Sequence, residues 1–88
     1  MSLPVAEVGF PTVISTATDT TVCPMACQLL GFYVSSTTGG TIVIKDGSTA
    51  RSGTITPAIG FHRWPANIGG SLVVTTANTI NVTFFHAA

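Results

Sequence analysis

The sequence predicts a small all-β fold, an antiparallel β-sandwich of Greek-key or jelly-roll type with seven to eight strands. Glycine and proline recur about every 8–12 residues, which is the strand spacing of small sandwiches and barrels. The chain is rich in Thr, Val, Ile and Gly, which are strand and turn residues. An apolar period of 3.6, sustained over about ten residues, would indicate a helix, and no segment carries one.

The first residues are predicted to form an extended N-terminal arm rather than a strand. Two prolines, Pro4 and Pro11, interrupt residues 1–11, where the apolar residues show only weak periodicity. The arm is expected to be ordered against a neighbouring molecule. Residues 12–88 are expected to form one β-sandwich domain, because 88 residues lie at the small end of domain sizes.

The strongest predicted strand covers residues 26–35. Side chains alternate between the two faces of a strand. One parity is predicted to face the core: Leu30, Phe32 and Val34. The other parity contains Leu29 and Tyr33, and it is too apolar for open solvent. This second face is therefore expected to be covered by another surface.

The other strands are placed by alternation and by turn residues. Asp46-Gly47 is a hairpin signal, because Asp-Gly fits the positive φ of a tight turn. Residues 16–21, with Asp19, are expected to be a polar connection that Pro24 interrupts. Pro65 is expected to close a strand, since proline cannot donate to a ladder. Ile80, Val82 and Phe84 are expected to point inward from the last strand. The predicted strands are 13–18, 41–45, 54–56, 60–64, 72–76 and 79–86.

Charge is unusually scarce in this chain. Charged residues are 7%, against about 25% in an ordinary domain. Lys plus Arg is 3, Asp plus Glu is 3, and the formal net charge is 0. Such a balance argues against nucleic-acid binding, which requires a basic surface. A near-zero net charge favours association, so the surface is expected to be covered by other copies or by a larger assembly.

Neither a membrane span nor a secretory signal is expected. No window approaches the roughly 20 apolar residues that cross a bilayer. Residues 1–6 have no basic stretch followed by an apolar run. We therefore expect synthesis in the cytoplasm and no membrane partner.

The two cysteines leave three alternatives open. In an extended strand, Cys23 and Cys27 would lie about 13 Å apart, whereas a disulfide needs Cα atoms within about 7 Å. They could be buried thiols, could pair if Pro24 bends the chain, or could bind metal with His62 and His86. Buried thiols are the expectation, with no metal and no cofactor. No nucleophile elbow or phosphate-binding glycine loop is present, so we expect no enzymatic activity.

Residues 60–65 concentrate the functional side chains. Phe61, His62, Arg63 and Trp64 combine two aromatic rings with basic groups, and Trp and Arg are enriched in interface hot spots. Equally, Trp64 or Phe61 could fill the core while Arg63 points to solvent. Alternation allows both readings, because one parity can serve the core and the other a partner.

Most of the chain, residues 21–85, resembles small structural proteins of tailed bacteriophages. The resemblance rests on Leu-Gly-Phe-Tyr-Val at 30–34, Ser-Ser-Thr-Thr-Gly-Gly-Thr at 35–41 and Ile-Lys-Asp-Gly at 44–47. Thr-Pro-Ala-Ile-Gly-Phe-His at 56–62, Leu-Val-Val at 72–74 and Val-Thr-Phe-Phe at 82–85 complete it. The motifs are mainly turn and core residues, so no functional residue carries over.

This resemblance implies a compact β-sandwich in capsid decoration (cement) proteins, head fibres and related virion parts, often as trimers. We therefore expect a decoration protein on the capsid surface that binds the major capsid protein and stabilises the shell. Phe61, His62, Arg63 and Trp64 are the expected partner contacts, and Tyr33 and Leu29 the expected subunit interface. One alternative is a tail, baseplate or head-fibre component that binds a host receptor. Another is a carbohydrate-binding module that uses Trp64, Tyr33 and Phe61.

Overall fold

The structure is a computed structural model that describes residues 9–87. The predicted arm therefore lies, up to residue 8, outside the described residues. The all-β, antiparallel character is confirmed, and the strands form one six-stranded sheet. They are β1 (Phe10–Ile14), β2 (Asp19–Cys23), β3 (Cys27–Asp46), β4 (Thr49–Ala50), β5 (Gly60–Ile68) and β6 (Leu72–Ala87).

Two long strands, β3 and β6, form the centre of the sheet. They pair from Gln28 opposite Ala87 to Asp46 opposite Leu72. The flanking strands divide the sheet into two parts, which we call the first half and the second half. In the first half, β1 flanks the C-terminal part of β6, and β5 flanks the N-terminal part of β3. In the second half, β2 flanks the N-terminal part of β6, and β4 flanks the C-terminal end of β3. Each half is thus four strands wide.

Strand β3 is strongly bent. Its first residue, Cys27, pairs with Ile68, and its last residue, Asp46, pairs with Leu72. Only residues 69–71 separate Ile68 from Leu72, so the two ends of β3 lie within about 25 Å of each other. A straight strand of 20 residues would span about 60 Å. The sheet is therefore bent, and its two halves face each other across the concave side.

The core lies on that inner side. One hydrophobic cluster contains residues from both halves, and its largest fully buried side chains come from β3 and β6. Ile80, Val82 and Phe84 point inward as predicted. The fully buried side chains are Leu29, Phe32, Val34, Ile42, Ile44, Leu72, Val74, Val82 and Phe84.

The strand count differs from prediction because the ladder of β3 and β6 continues through two expected loops. Predicted strands 26–35 and 41–45 are one strand, and so are 72–76 and 79–86. Gly39 (φ 66°) and Asn78 (φ 61°) take the left-handed conformation within these strands. The extra residue lies in β3, where Thr38 and Gly39 both pair with Thr79, and such a bulge does not end the ladder. The predicted strand 54–56 is reduced to an isolated bridge between Ile42 and Ile55.

Four expected boundaries are corrected and two signals are confirmed. Strand β1 begins at Phe10, inside the predicted arm, and ends at Ile14 rather than at 18. Strand β5 passes through Pro65, which is tolerated because β5 lies at the edge of the sheet and pairs, among the strands of residues 9–87, with β3 alone. Residues 16–21 were expected to be a polar connection, but residues from Asp19 onward form strand β2, which ends at Cys23, before the interruption predicted at Pro24. The Asp-Gly hairpin is confirmed by the pairing of Asp46 with Thr49.

Candidate functional site

The outward side of the first half carries a continuous apolar surface. Alternation places every second residue of four neighbouring strands on this side. Two rows of cross-strand partners build it: Val13, Thr83, Tyr33 and Phe61 in one, and Pro11, Phe85, Gly31 and Arg63 in the other. We call this surface the outer face and define it by Pro11, Val13, Tyr33, Phe61, Arg63 and Phe85.

Aromatic rings occupy the centre of the outer face. Phe61 is 58% exposed and Tyr33 is 44% exposed, and the two residues are cross-strand partners. The rings of Phe61 and Phe85 lie 6.2 Å apart at a tilted angle of 57°. A Cβ at Gly31 would lie 3.0 Å from Cζ of Phe61. Gly31 therefore makes room for the Phe61 ring to lie across β3.

The residues predicted between 60 and 65 divide by parity. Phe61 and Arg63 are exposed on the outer face. His62 instead stacks on Phe32, with ring centroids 5.1 Å apart, and its Nε2 donates to the carbonyl oxygen of Ala58 at 2.8 Å. Trp64 is partly buried and packs against the core. The two inward residues therefore support β5 and leave Phe61 and Arg63 to meet a partner.

The expectation for Leu29 is corrected. Leu29 is 0% exposed and belongs to the core, so its side chain does not form part of a subunit interface. The cause is a register shift between Leu29 and Gly31, which places Leu29 and Phe32 on the same face. Leu30, predicted to face the core, is only partly buried as a result.

The structure brings two predicted surfaces together. Tyr33 was expected at a subunit interface and Phe61 at a different partner, yet they are direct neighbours on one face. Pro11 and Val13, which join this face from β1, were not predicted as contacts. Neither was Phe85, although the alternation of β6 placed that ring outward. Their common location depends on which strands pair, and no local pattern records that.

Arg63 is the one formal charge among the described residues of the first half. The two acidic residues that the structure describes, Asp19 and Asp46, lie in the second half and are held by internal hydrogen bonds. Asp19 accepts from the hydroxyl of Thr75 at 2.7 Å. Asp46 accepts from the backbone N–H groups of residues 69–71. The outer face therefore combines apolar rings with a guanidinium that has no carboxylate beside it in residues 9–87.

The cysteines are buried free thiols in the structure. Cys23 Sγ donates to the carbonyl oxygen of Met25 at 3.1 Å. Burial raises the pKa of Cys27 from 9.0 to about 12, and the neighbouring Cys23 side chain adds to this rise through a hydrogen bond to Cys27 and through its charge. A thiol with so high a pKa is a poor nucleophile and a poor metal ligand at neutral pH. Within residues 9–87, no three His, Cys, Asp or Glu side chains lie close enough together to hold a metal ion.

Comparison with known proteins finds no matching family, no similar curated protein and no similar solved structure. In the part of the chain that the structure describes, no helix is long and apolar enough to cross a membrane. The function is therefore inferred from the chemistry of the outer face and from the resemblance to phage structural proteins.

Proposed function

We propose that this protein is a virion structural protein, a capsid decoration protein that docks through its outer face on the major capsid protein. The observation that carries the proposal is the aromatic cluster of the exposed Tyr33 and Phe61 and the half-buried Phe85, beside Arg63. Aromatic residues and arginine are enriched in the cores and hot spots of protein interfaces. The resemblance to phage structural proteins supplies the virion context.

Stabilisation of the shell would be mechanical. Burial of apolar surface contributes about 25 cal/mol per Å², so a face that covers the junction of two capsid subunits raises the cost of separating them. The outer face lies on a sheet, and its side chains are presented from paired strands rather than from loops. Less ordering of side chains and backbone is then required when it binds.

We also propose how the two halves of the sheet are arranged and how many copies of the chain associate. The two halves of the bent sheet would act as the layers of a small β-sandwich, supported by the short connection 69–71 between the ends of β3. Three copies would form a homotrimer on the capsid surface, as in the phage proteins that this chain resembles. Neither nucleic acid nor membrane is a partner, and no catalysis is involved.

Co-sedimentation with emptied capsids of the encoding phage tests the proposal. Wild-type protein should sediment with the shells and saturate at a copy number set by the number of major capsid subunits. Phe61→Ser should lower binding at least tenfold, since it removes the central ring. Ile59→Ser is the matched control, because Ile59 is 63% exposed but precedes β5 and lies outside the outer face.

Two results would overturn the decoration role. Wild-type protein that stays in the supernatant would exclude binding to the shell and favour a tail or fibre component, to be tested on host cells. Equal loss of binding in both serine variants would show that general hydrophobicity, rather than the outer face, drives association.

A carbohydrate-binding module is the second candidate, because Tyr33 and Phe61 offer two neighbouring exposed rings on which sugars could stack. Trp64, the third residue expected to stack on sugar, packs against the core instead. A glycan array would decide between the two: a saturable signal that is lost in Phe61→Ser would favour this candidate.

A further inference from the structure

A groove of about 330 Å³ lies beside the outer face, between the start of β3 and β5. It coincides with an irregularity in the ladder: Leu29 pairs with Ala66, whereas Gly31 pairs with Arg63, so β5 carries an extra residue there. Bulges are common at sheet edges and beside binding sites, where they redirect side chains. The lining residues are Gln28, Leu29, Leu30, Arg63, Pro65, Ala66 and Asn67.

The groove presents hydrogen-bonding groups on both sides. Gln28 on β3 and Asn67 on β5 are cross-strand partners, and both side chains are exposed. Each amide offers two N–H donors and one carbonyl acceptor. This combination matches the alternating N–H and C=O groups of a peptide main chain, which displays both kinds of group along its length.

The charge of the groove is a single guanidinium. Arg63 lines the groove, and both described carboxylates are held elsewhere, in the second half of the sheet. Arginine binds carboxylates through two parallel hydrogen bonds. A ligand with one carboxylate would therefore complement the groove, whereas a nucleic acid would need several cations along its path.

We propose that this groove binds an extended acidic peptide segment of a partner protein. One Glu or Asp of the segment pairs with Arg63, its main chain bonds to the amides of Gln28 and Asn67, and a neighbouring apolar side chain packs on Leu30 and Pro65. The lining contains no aromatic ring, which argues against a sugar as the occupant. This inference rests on the proposed docking function and specifies the chemistry of the partner: an acidic, extended segment that reaches the end of the outer face.

The test is an NMR titration of the full-length ¹⁵N-labelled protein with a capped Leu-Glu-Pro-Leu peptide. The capped Leu-Gln-Pro-Leu peptide is its neutral control. We expect the acidic peptide to shift the Arg63 Nε–H signal and the side-chain amides of Gln28 and Asn67. The neutral peptide should bind at least tenfold more weakly, because it lacks the charge-assisted pair.

Two variants separate a specific site from general charge attraction. Arg63→Gln should remove the preference for the acidic peptide. Arg51→Gln is the matched control, since Arg51 is also exposed but follows β4 in the second half, and it should retain the preference. Heteronuclear spectra of both variants report whether the fold is intact.

Several outcomes would overturn the inference. They are absence of shifts at the groove, equal affinity for the two peptides, or equal loss of the preference in both variants. Glucuronate binding as tightly as the acidic peptide would show a site for small anions instead. Tighter peptide binding in Glu7→Gln would identify the chain's own carboxylate as the occupant. These results are distinguishable from failure of the proposed function, because the capsid assay depends on Phe61 and this titration depends on Arg63.

Discussion

Thr76 is a polar side chain within an otherwise apolar core, where it is 3% exposed. Its hydroxyl donates to the carbonyl oxygen of Thr16 at 2.6 Å, and it accepts from the backbone N–H of Thr18 at 3.2 Å. Thr76, which lies on β6, thus fastens the connection between β1 and β2 to that strand. A buried polar group of this kind is stabilising only while its partners remain in place.

Thr76→Val is therefore expected to destabilise the protein by about 1–3 kcal/mol, although valine has the same shape and a high strand propensity. The loss arises because the N–H of Thr18 and the carbonyl of Thr16 lose their buried partner. Chemical denaturation followed by circular dichroism measures it. Thr41→Val, at a half-buried position of β3, is the control and should change stability by less than about 0.5 kcal/mol. Equal effects in the two variants would contradict this role of Thr76.

The buried thiol of Cys27 makes stability depend on alkaline pH. Its pKa is raised from 9.0 to about 12, chiefly because burial disfavours the thiolate. The unfolded chain releases this proton at lower pH than the folded chain does. The contribution is therefore complete below about pH 9, and it is lost progressively as the pH rises from 9 towards 12.

Relative to Cys27→Ala, the wild-type protein should lose free energy of unfolding between pH 9 and pH 10.5. The comparison cancels contributions that do not depend on Cys27, because both proteins share them. Guanidinium unfolding in the presence of a reductant gives the two pH profiles. Parallel profiles would contradict a raised thiol pKa at this site.

At the scale of the element, the close approach of β3 and β6 beside the bulge requires a glycine at position 40. A Cβ at Gly40 would lie 2.5 Å from Cβ of Ile80 and 2.7 Å from the carbonyl oxygen of Thr79. Both contacts are with β6, the partner strand. The backbone N–H of Gly40 also donates to Oγ1 of Thr37 at 3.0 Å, which closes the bulge.

Gly40→Ala is expected to destabilise the fold by several kcal/mol or to prevent folding, because β6 must move away from β3. Gly53→Ala is the matched control, since a Cβ there meets nothing within 4 Å, and it should be neutral or slightly stabilising. Thermal unfolding of the two variants compares them. A Gly40→Ala protein as stable as Gly53→Ala would show that the strands can separate at the bulge without cost.

The long strands were predictable, whereas strand β2 and the irregularities of the ladder were not. Alternation correctly placed Ile80, Val82 and Phe84 in the core, because β6 is regular from Ile80 onward. Alternation was wrong for Leu29 because one register shift reverses the parity of everything before it. Gly31 lies at that shift and is its signal in the sequence. A glycine alone, however, does not show which side chain of a neighbouring strand lies across it.

The candidate site was predictable to a similar extent. The motif at 60–65 indicated Phe61 and Arg63, and alternation indicated that His62 and Trp64 face the other way. The union of Tyr33, Phe61 and Phe85 into one face required the pairing of β5 with β3 and of β3 with β6. These pairings join residues from distant parts of the chain, so local patterns could not reveal them.

At the scale of the whole molecule, Asp46 connects the two halves of the sheet. It lies at the end of β3, in the second half, and its carboxylate accepts from the backbone N–H groups of Gly69, Gly70 and Ser71 at 3.1–3.3 Å. Those residues continue from β5, which belongs to the first half. The carboxylate therefore fixes the short connection that brings the two ends of β3 together.

Asp46→Ala is expected to lower the free energy of unfolding by about 1.5–3 kcal/mol, since hydrogen bonds to a charged group are lost. It should also open the nearby end of the sheet, where Cys27 pairs with Ile68, and so speed alkylation of Cys27 by iodoacetamide in native buffer. Asp19→Ala is the control: Asp19 is exposed and bonds to a hydroxyl of the adjacent strand within one half. It should cost less than about 1 kcal/mol and leave the alkylation rate unchanged. If both variants sped alkylation equally, Asp46 would stabilise the fold only as a general surface carboxylate, and the link between the halves would have to lie in the core alone.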